Sequence, residues 1–283
     1  MKYILPTIRK EYQIFHNSKV KCYPDGSFKQ TVASRPVFKE SGWEPASDVM
    51  SIKIPKPKDM TNESRDDSIR RAKNKVEDII RLNDFDYFIT LTFDQKKINS
   101  FSPKEVLNKV KAFFSNHVQR HGAIYVLIPE HHKKGAIHLH GFIKGDFKLS
   151  DSGTVKVKGH KPIKPKTAER LGISKEQWQT VYNLSQWSYG FSTAVKIPDS
   201  ERAYVSKYIT KYITKDVEKI FGKFYLAGGN GLKRETDIVL TDVPYDTFDS
   251  QGESYCRETN TYFKYYDSMK SVPEQEVDFN DLF

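Results

Sequence analysis

The chain has 283 residues, of which 37% are apolar or aromatic and 29% charged, with a formal net charge of +10. That is enough for one large domain or two small ones with an ordinary core. No run approaches the roughly eighteen apolar residues of a membrane-spanning helix. MKYILPTIRK breaks off at Pro6 and turns charged, unlike a signal peptide. Two distant cysteines, Cys22 and Cys256, exclude a cysteine zinc cluster and a disulfide framework, so a reducing cytoplasm is the expected home.

The charge is unevenly spread. From Asp237 onward eleven acids face three bases, a net of −8, which leaves +18 on residues 1–236. A basic body points to a polyanion partner. The acidic region 236–283 reads as a partly disordered solubilising tail.

Residues 1–60 alternate short β-like runs with turns such as YPDGS (23–27) and end in a Pro/Lys linker, IPKPKDM (54–60); they read as an accessory segment. Residues 61–235 read as the main domain. It opens with a helix, NESRDDSIRRAKNKVEDIIRL (62–82), whose apolar stripe is Ile69, Ala72, Val76 and Ile80. Arg70, Arg71 and Lys73 load the other side and are candidate contacts to such a polyanion. DYFITLTF (86–93) is a strand of aromatic and β-branched residues. SPKEVLNKVKAFFSNHVQ (102–119) opens with a Ser cap and Pro at the first helical position. AIYVLIP (123–129) and AIHLHGFIK (136–144) read as a hairpin turning around Lys133, Lys134 and Gly135. Residues 145–185 read as a basic insertion, VKVKGHKPIKPK, followed by a short helix near 174–184; its Lys156 and Lys158 are further candidate polyanion contacts. WSYGFSTAVKI (187–197) is a strand, 200–221 a long helix, and KFYLAGG (223–229) a last strand. The order predicts an α+β fold with helices on a central, mainly antiparallel five-stranded sheet.

The hairpin carries PEHHKKGAIHLHGF (129–142). On a strand, residues two apart share a face, so His138 and His140 point the same way. A turn at Lys133–Lys134 sets Glu130 opposite or diagonal to His138. Two imidazoles and a carboxylate with open coordination positions suit a catalytic Mg²⁺ or Mn²⁺ that grips a phosphate oxygen. Taken alone, a histidine pair on a strand can equally be two ordinary histidines. A zinc hydrolase would draw further histidines from later strands, and only His160 follows.

In AYVSKYITKYITKD (203–216), Tyr204, Tyr208 and Tyr212 recur every four residues, as do Val205, Ile209, Ile213 and Val217, and Lys207, Lys211 and Lys215. On a helix these are three adjacent stripes. The aliphatic stripe is expected to dock on the sheet, bringing phenols out at the edge with ammonium groups beside them. Such phenols suit attack on a phosphodiester, since nearby cations favour phenolate; they would also suit the rim of an ordinary core. GGNGLK (228–233) lacks the spacing of a phosphate-binding loop, so no ATPase module is expected.

Together these segments resemble the HUH endonucleases, specifically the rolling-circle replication initiators of single-stranded DNA phages, small DNA viruses and related plasmids. The family's first motif is an apolar strand ending in T-L-T-F, here FITLTF (88–93). The second is histidine–hydrophobe–histidine with a preceding Glu, here His138, Leu139, His140 and Glu130. The third is a helix of the form Y-x-x-K-Y-x-x-K, here YVSKYITKYITK (204–215). The resemblance covers roughly 85–230. It implies metal-assisted nicking of single-stranded DNA at an origin, with a tyrosine bound to the 5′ end and a free 3′-OH as primer. It also implies rejoining without ATP, and host helicase and polymerase as partners in a bacterial cell. The triple motif leaves the nucleophile open. Tyr208 ranks first, because it matches whether the double-tyrosine motif is aligned from its start or its end, and Lys207 and Lys211 flank it; Tyr212 is the expected second tyrosine, ahead of Tyr204. The same site would also serve a plasmid relaxase or a tyrosine transposase. A non-catalytic sheet-based nucleic-acid-binding module is the alternative of another class.

Overall fold

The structure is a computed structural model that describes residues 14–40, 62–157, 159–198, 213, 219–257 and 259–270. The chain divides into two units, residues 58–235 with 274–283, and residues 1–57 with 236–273.

The smaller unit begins with β1 (Phe15–His16), β2 (Ser18–Cys22), β3 (Phe28–Ala33) and β4 (Phe38–Lys39). The larger holds α1 (Asn62–Leu82), β5 (Tyr87–Phe93), α2 (Pro103–His121), β6 (Ile124–His131), β7 (Ile137–Lys144), β8 (Leu149–Lys156), α3 (Pro165–Arg170), β9 (Gln179–Leu184), β10 (Gly190–Lys196) and β11 (Leu226–Gly228). The chain then returns to the smaller unit with β12 (Asp237–Thr241), β13 (Gly252–Cys256) and β14 (Thr261–Asp267).

In the larger unit seven antiparallel strands run in the order β11-β6-β7-β5-β10-β9-β8. The fold is α+β, but the central sheet is not the five-stranded one expected. The five anticipated strands lie side by side, and β9 and β8 extend the sheet beyond β10. The expected helix near 174–184 is instead a single 3₁₀ turn, Lys175–Gln177, followed by β9. In QTVYNL the β-branched and aromatic residues favour the pleat, and Val181 and Leu184 are buried. The basic insertion thus contributes two strands.

Both faces of the sheet are covered. On one, α2 packs Val106, Val110 and Phe114 against Ile89, Leu91, Leu127, Leu139 and Ala194. Ser102 caps α2, accepting from the Glu105 N–H at 3.4 Å; Pro103 opens the helix, and Gly122 closes it at φ 59°. On the other face α1 lays Ala72, Val76, Ile79 and Ile80 on Phe88, Val126, Ile128 and Phe142, with Ile69 at the margin. The expected stripe is therefore the buried one, with Ile79 added.

Of the expected helix at 200–221, Ile213 is described; it is helical and buried in the same cluster as α1. Residues 220–221 already form a turn. Tyr204, Tyr208, Tyr212, Lys207, Lys211 and Lys215 lie outside the described residues, as do Lys158 and the linker 54–60.

The smaller unit is a five-stranded antiparallel sheet, β12-β2-β3-β14-β13, beside the short pair β1-β4. The YPDGS turn appears between β2 and β3, with Gly26 at φ 79° donating to the Tyr23 carbonyl. The acidic region is thus not a disordered tail over its described part. It contributes three strands: β12 pairs with β2, β14 with β3, and β13 adds to β14 at the edge.

Candidate active site

The polar site grows out of the β6–β7 hairpin. His132 to Gly135 form its turn, with the Gly135 N–H donating to the His132 carbonyl at 2.7 Å and the His132 N–H to the Ala136 carbonyl at 2.8 Å. Gly135 takes φ 84°, the left-handed position that such a loop needs. This turn sets the register: Glu130 stands opposite His138, and Ile128 opposite His140. On the other side of β7, Thr92 faces His138 and Thr90 faces His140. Glu130, His138, His140, Thr90 and Thr92 therefore share one face, the face that α1 covers further along at Phe88 and Phe142.

Glu130 reaches diagonally past its direct partner. Its Oε2 lies 3.0 Å from His140 Nε2, and both side chains are largely buried, at 13% and 9% exposure. The other ring nitrogen of His140, Nδ1, lies 3.1 Å from the Thr90 hydroxyl. The ring also stacks near Phe88, at 6.4 Å between centroids. His140 thus sits where the apolar core gives way to the polar end of the sheet, held at both nitrogens.

His138 is half-buried, its ring stacked on that of His132 at 5.1 Å. Burial holds its pKa below the ordinary histidine value; His140 and His132 lower it further, and Glu130 opposes them. Near neutral pH it is a neutral imidazole with a lone pair to give.

These residues suit a divalent cation. Metal–oxygen and metal–nitrogen bonds of about 2.1 Å put neighbouring donor atoms at roughly 3 Å from each other, the separation of Glu130 and His140. A hydroxyl at the far nitrogen of a ligating histidine orients its ring, accepting the proton that nitrogen carries when the other binds metal. The set is preassembled only as a pair. Among the described residues no three His, Cys, Asp or Glu side chains are gathered into a cation cage, His138 being engaged with His132.

The expected DNA contacts divide. Arg70 and Arg71 are exposed and Lys73 is half-exposed on α1. Lys156 is a correction: it is 1% exposed, and its ammonium donates to the His160 carbonyl inside the folded insertion. Sequence reasoning missed Thr90, because its role depends on strand pairing, and Phe191, which is 75% exposed on the same face. The alternation in GFSTAVK could have pointed to Phe191, since Ser192 and Ala194 are the buried neighbours.

No helix among the described residues is long and apolar enough to cross a membrane. Neither a curated protein nor a solved structure matches the chain. Residues 86–216, which span the FITLTF strand, the histidine hairpin and the tyrosine repeats, match the replication-associated protein family of the ORF2 and gene 2 protein type, consistent with a rolling-circle initiator of the kind the three motifs resemble.

Proposed function

We propose that the chain initiates rolling-circle replication by nicking and rejoining single-stranded DNA at an origin. A tyrosine of the 204–212 repeat, Tyr208 first, attacks the scissile phosphorus through its phenolic oxygen. The bond to the 3′ oxygen breaks, the 5′ phosphate stays on the tyrosine, and the 3′ oxygen leaves as a hydroxyl to prime synthesis. The reverse attack by a 3′-OH rejoins the strand with no other energy source. Glu130, His138 and His140 would hold Mg²⁺ or Mn²⁺, which when bound supplies Lewis acidity to the phosphate. Thr90 orients His140, and His138 stays neutral through burial.

The observation that carries this proposal is the Glu130–His140 pair beside His138, on the face where Ile213 of the tyrosine repeat is buried. Host helicase and polymerase would supply unwinding and synthesis. A panel of hairpin-bearing single strands tests it. Cleavage with a covalent protein–DNA adduct, lost on chelation, is the expected result. Binding indifferent to chelator, with no adduct, would instead identify a non-catalytic module.

A further inference from the structure

Across the polar face, one row of side chains runs over four strands. Glu130 on β6 faces His138 on β7, His138 faces Thr92 on β5, and Thr92 faces Phe191 on β10. Phe191 ends that row, two strand spacings or about 10 Å from His138. It is 75% exposed, the most exposed large apolar side chain among the described residues. Further along β10 the same face is buried at Val195. The exposed ring is therefore confined to the end of the sheet where the histidines lie.

That end is also basic. β5 runs out into Lys96 and Lys97, and the β6–β7 turn carries Lys133 and Lys134; all four are exposed. Lys97 donates to the Ser188 carbonyl in the loop just before β10. The nearby acid Asp94 is taken up by the Lys96 backbone N–H at 3.0 Å. A bare aromatic ring beside a rim of ammonium groups is the pattern that holds single strands, cations along the backbone and a flat face for a base. A protein partner would bury the ring without needing the lysines.

We propose that Phe191 is a base-stacking platform that seats one nucleotide of a single-stranded DNA substrate beside the histidine site. This rests on the nicking site proposed above, whose phosphate would lie at His138 and His140. The ring adds to that site a fixed point for an adjacent base, and so helps set which phosphate is presented.

The test is binding of a short single strand in chelator, read by anisotropy, with 2-aminopurine placed at successive positions to report stacking. Phe191→Ala should weaken binding about tenfold, the scale of one base–aromatic stack, and abolish the 2-aminopurine quench at one position. Phe191→Trp should keep both. Phe191→Leu should behave as the alanine variant, because it is apolar without a flat π face. Equal melting temperatures show that the exposed site left the fold intact. Wild-type affinity in the alanine variant, or full rescue by leucine, would overturn the platform. Because metal is absent, the platform is scored separately from cleavage: a wild-type protein that binds and stacks but never nicks would overturn the nuclease and leave the platform standing.

Discussion

Glu130 and His140 are not paired across the hairpin, yet their side chains meet at 3.0 Å, while Glu130's direct partner His138 turns to His132. Removing both imidazoles with His138→Ala and His140→Ala should therefore abolish cleavage. Affinity for a single strand should stay within about threefold, since it rests on spread positive charge. Gel assays with and without added Mn²⁺ check both halves, and full cleavage by the double variant would refute the assignment.

The Thr90 hydroxyl meets the far nitrogen of His140. Thr90→Val keeps the shape and removes the hydroxyl. Metal affinity should fall about 10–100-fold, the usual cost of removing a ligand's orienting partner. Calorimetric titration with Mn²⁺ measures it.

The low pKa of His138 has a sign that can be checked. In metal-free protein its NMR titration should fall below the ordinary value of about 6.5, because burial comes first and the neighbouring histidines second. His140→Gln should move the midpoint up. The unfolded state binds more protons between the two pKa values, so stability should decline as pH drops from about 6.5 toward the folded value and level off below it.

The hairpin, the Ser102 cap of α2 and the stripe of α1 were legible in sequence because each depends on residues a few positions apart. So was the shared face of His138 and His140, which follows from strand alternation alone. What escaped depends on distant partners. Val181 and Leu184 make QTVYNL a strand only because β8 and β10 flank it, and the density of lysines nearby hides that pattern. Lys156 looked like surface charge because sequence does not show that the carbonyl of His160 folds back over it. The meeting of Thr90 with His140 requires knowing that β5 lies against β7.

Lysine burial separates two kinds of charge removal. Arg70→Ala with Arg71→Ala should flatten the dependence of log affinity on log salt by roughly 0.7 for each phosphate no longer neutralised. Lys156→Ala should leave that slope alone and lower stability by about 1–3 kcal/mol, the cost of a buried polar group deprived of its partner. Salt titrations and urea unfolding tell them apart.

The nucleophile is decided by chemistry on the peptide. Tyr208→Phe should lose most of the covalent adduct, and Tyr212→Phe should spare the first cleavage while impairing the second. Mass spectrometry of the trapped adduct locates the phosphonucleotide; finding it only on Tyr204 or Tyr212 would reverse the ranking.

Asn17 and Asp242 hydrogen-bond across 225 positions, and β2 pairs with β12 beside them. The smaller unit is thus sewn from the two sequence flanks of the larger one. On the ribosome, at about 5–20 residues per second, β2 must wait on the order of ten seconds or more for β12 to be made. Residues 58–235 can settle first, so the order of synthesis itself would ready the unit that carries the histidine site before the smaller sheet is closed.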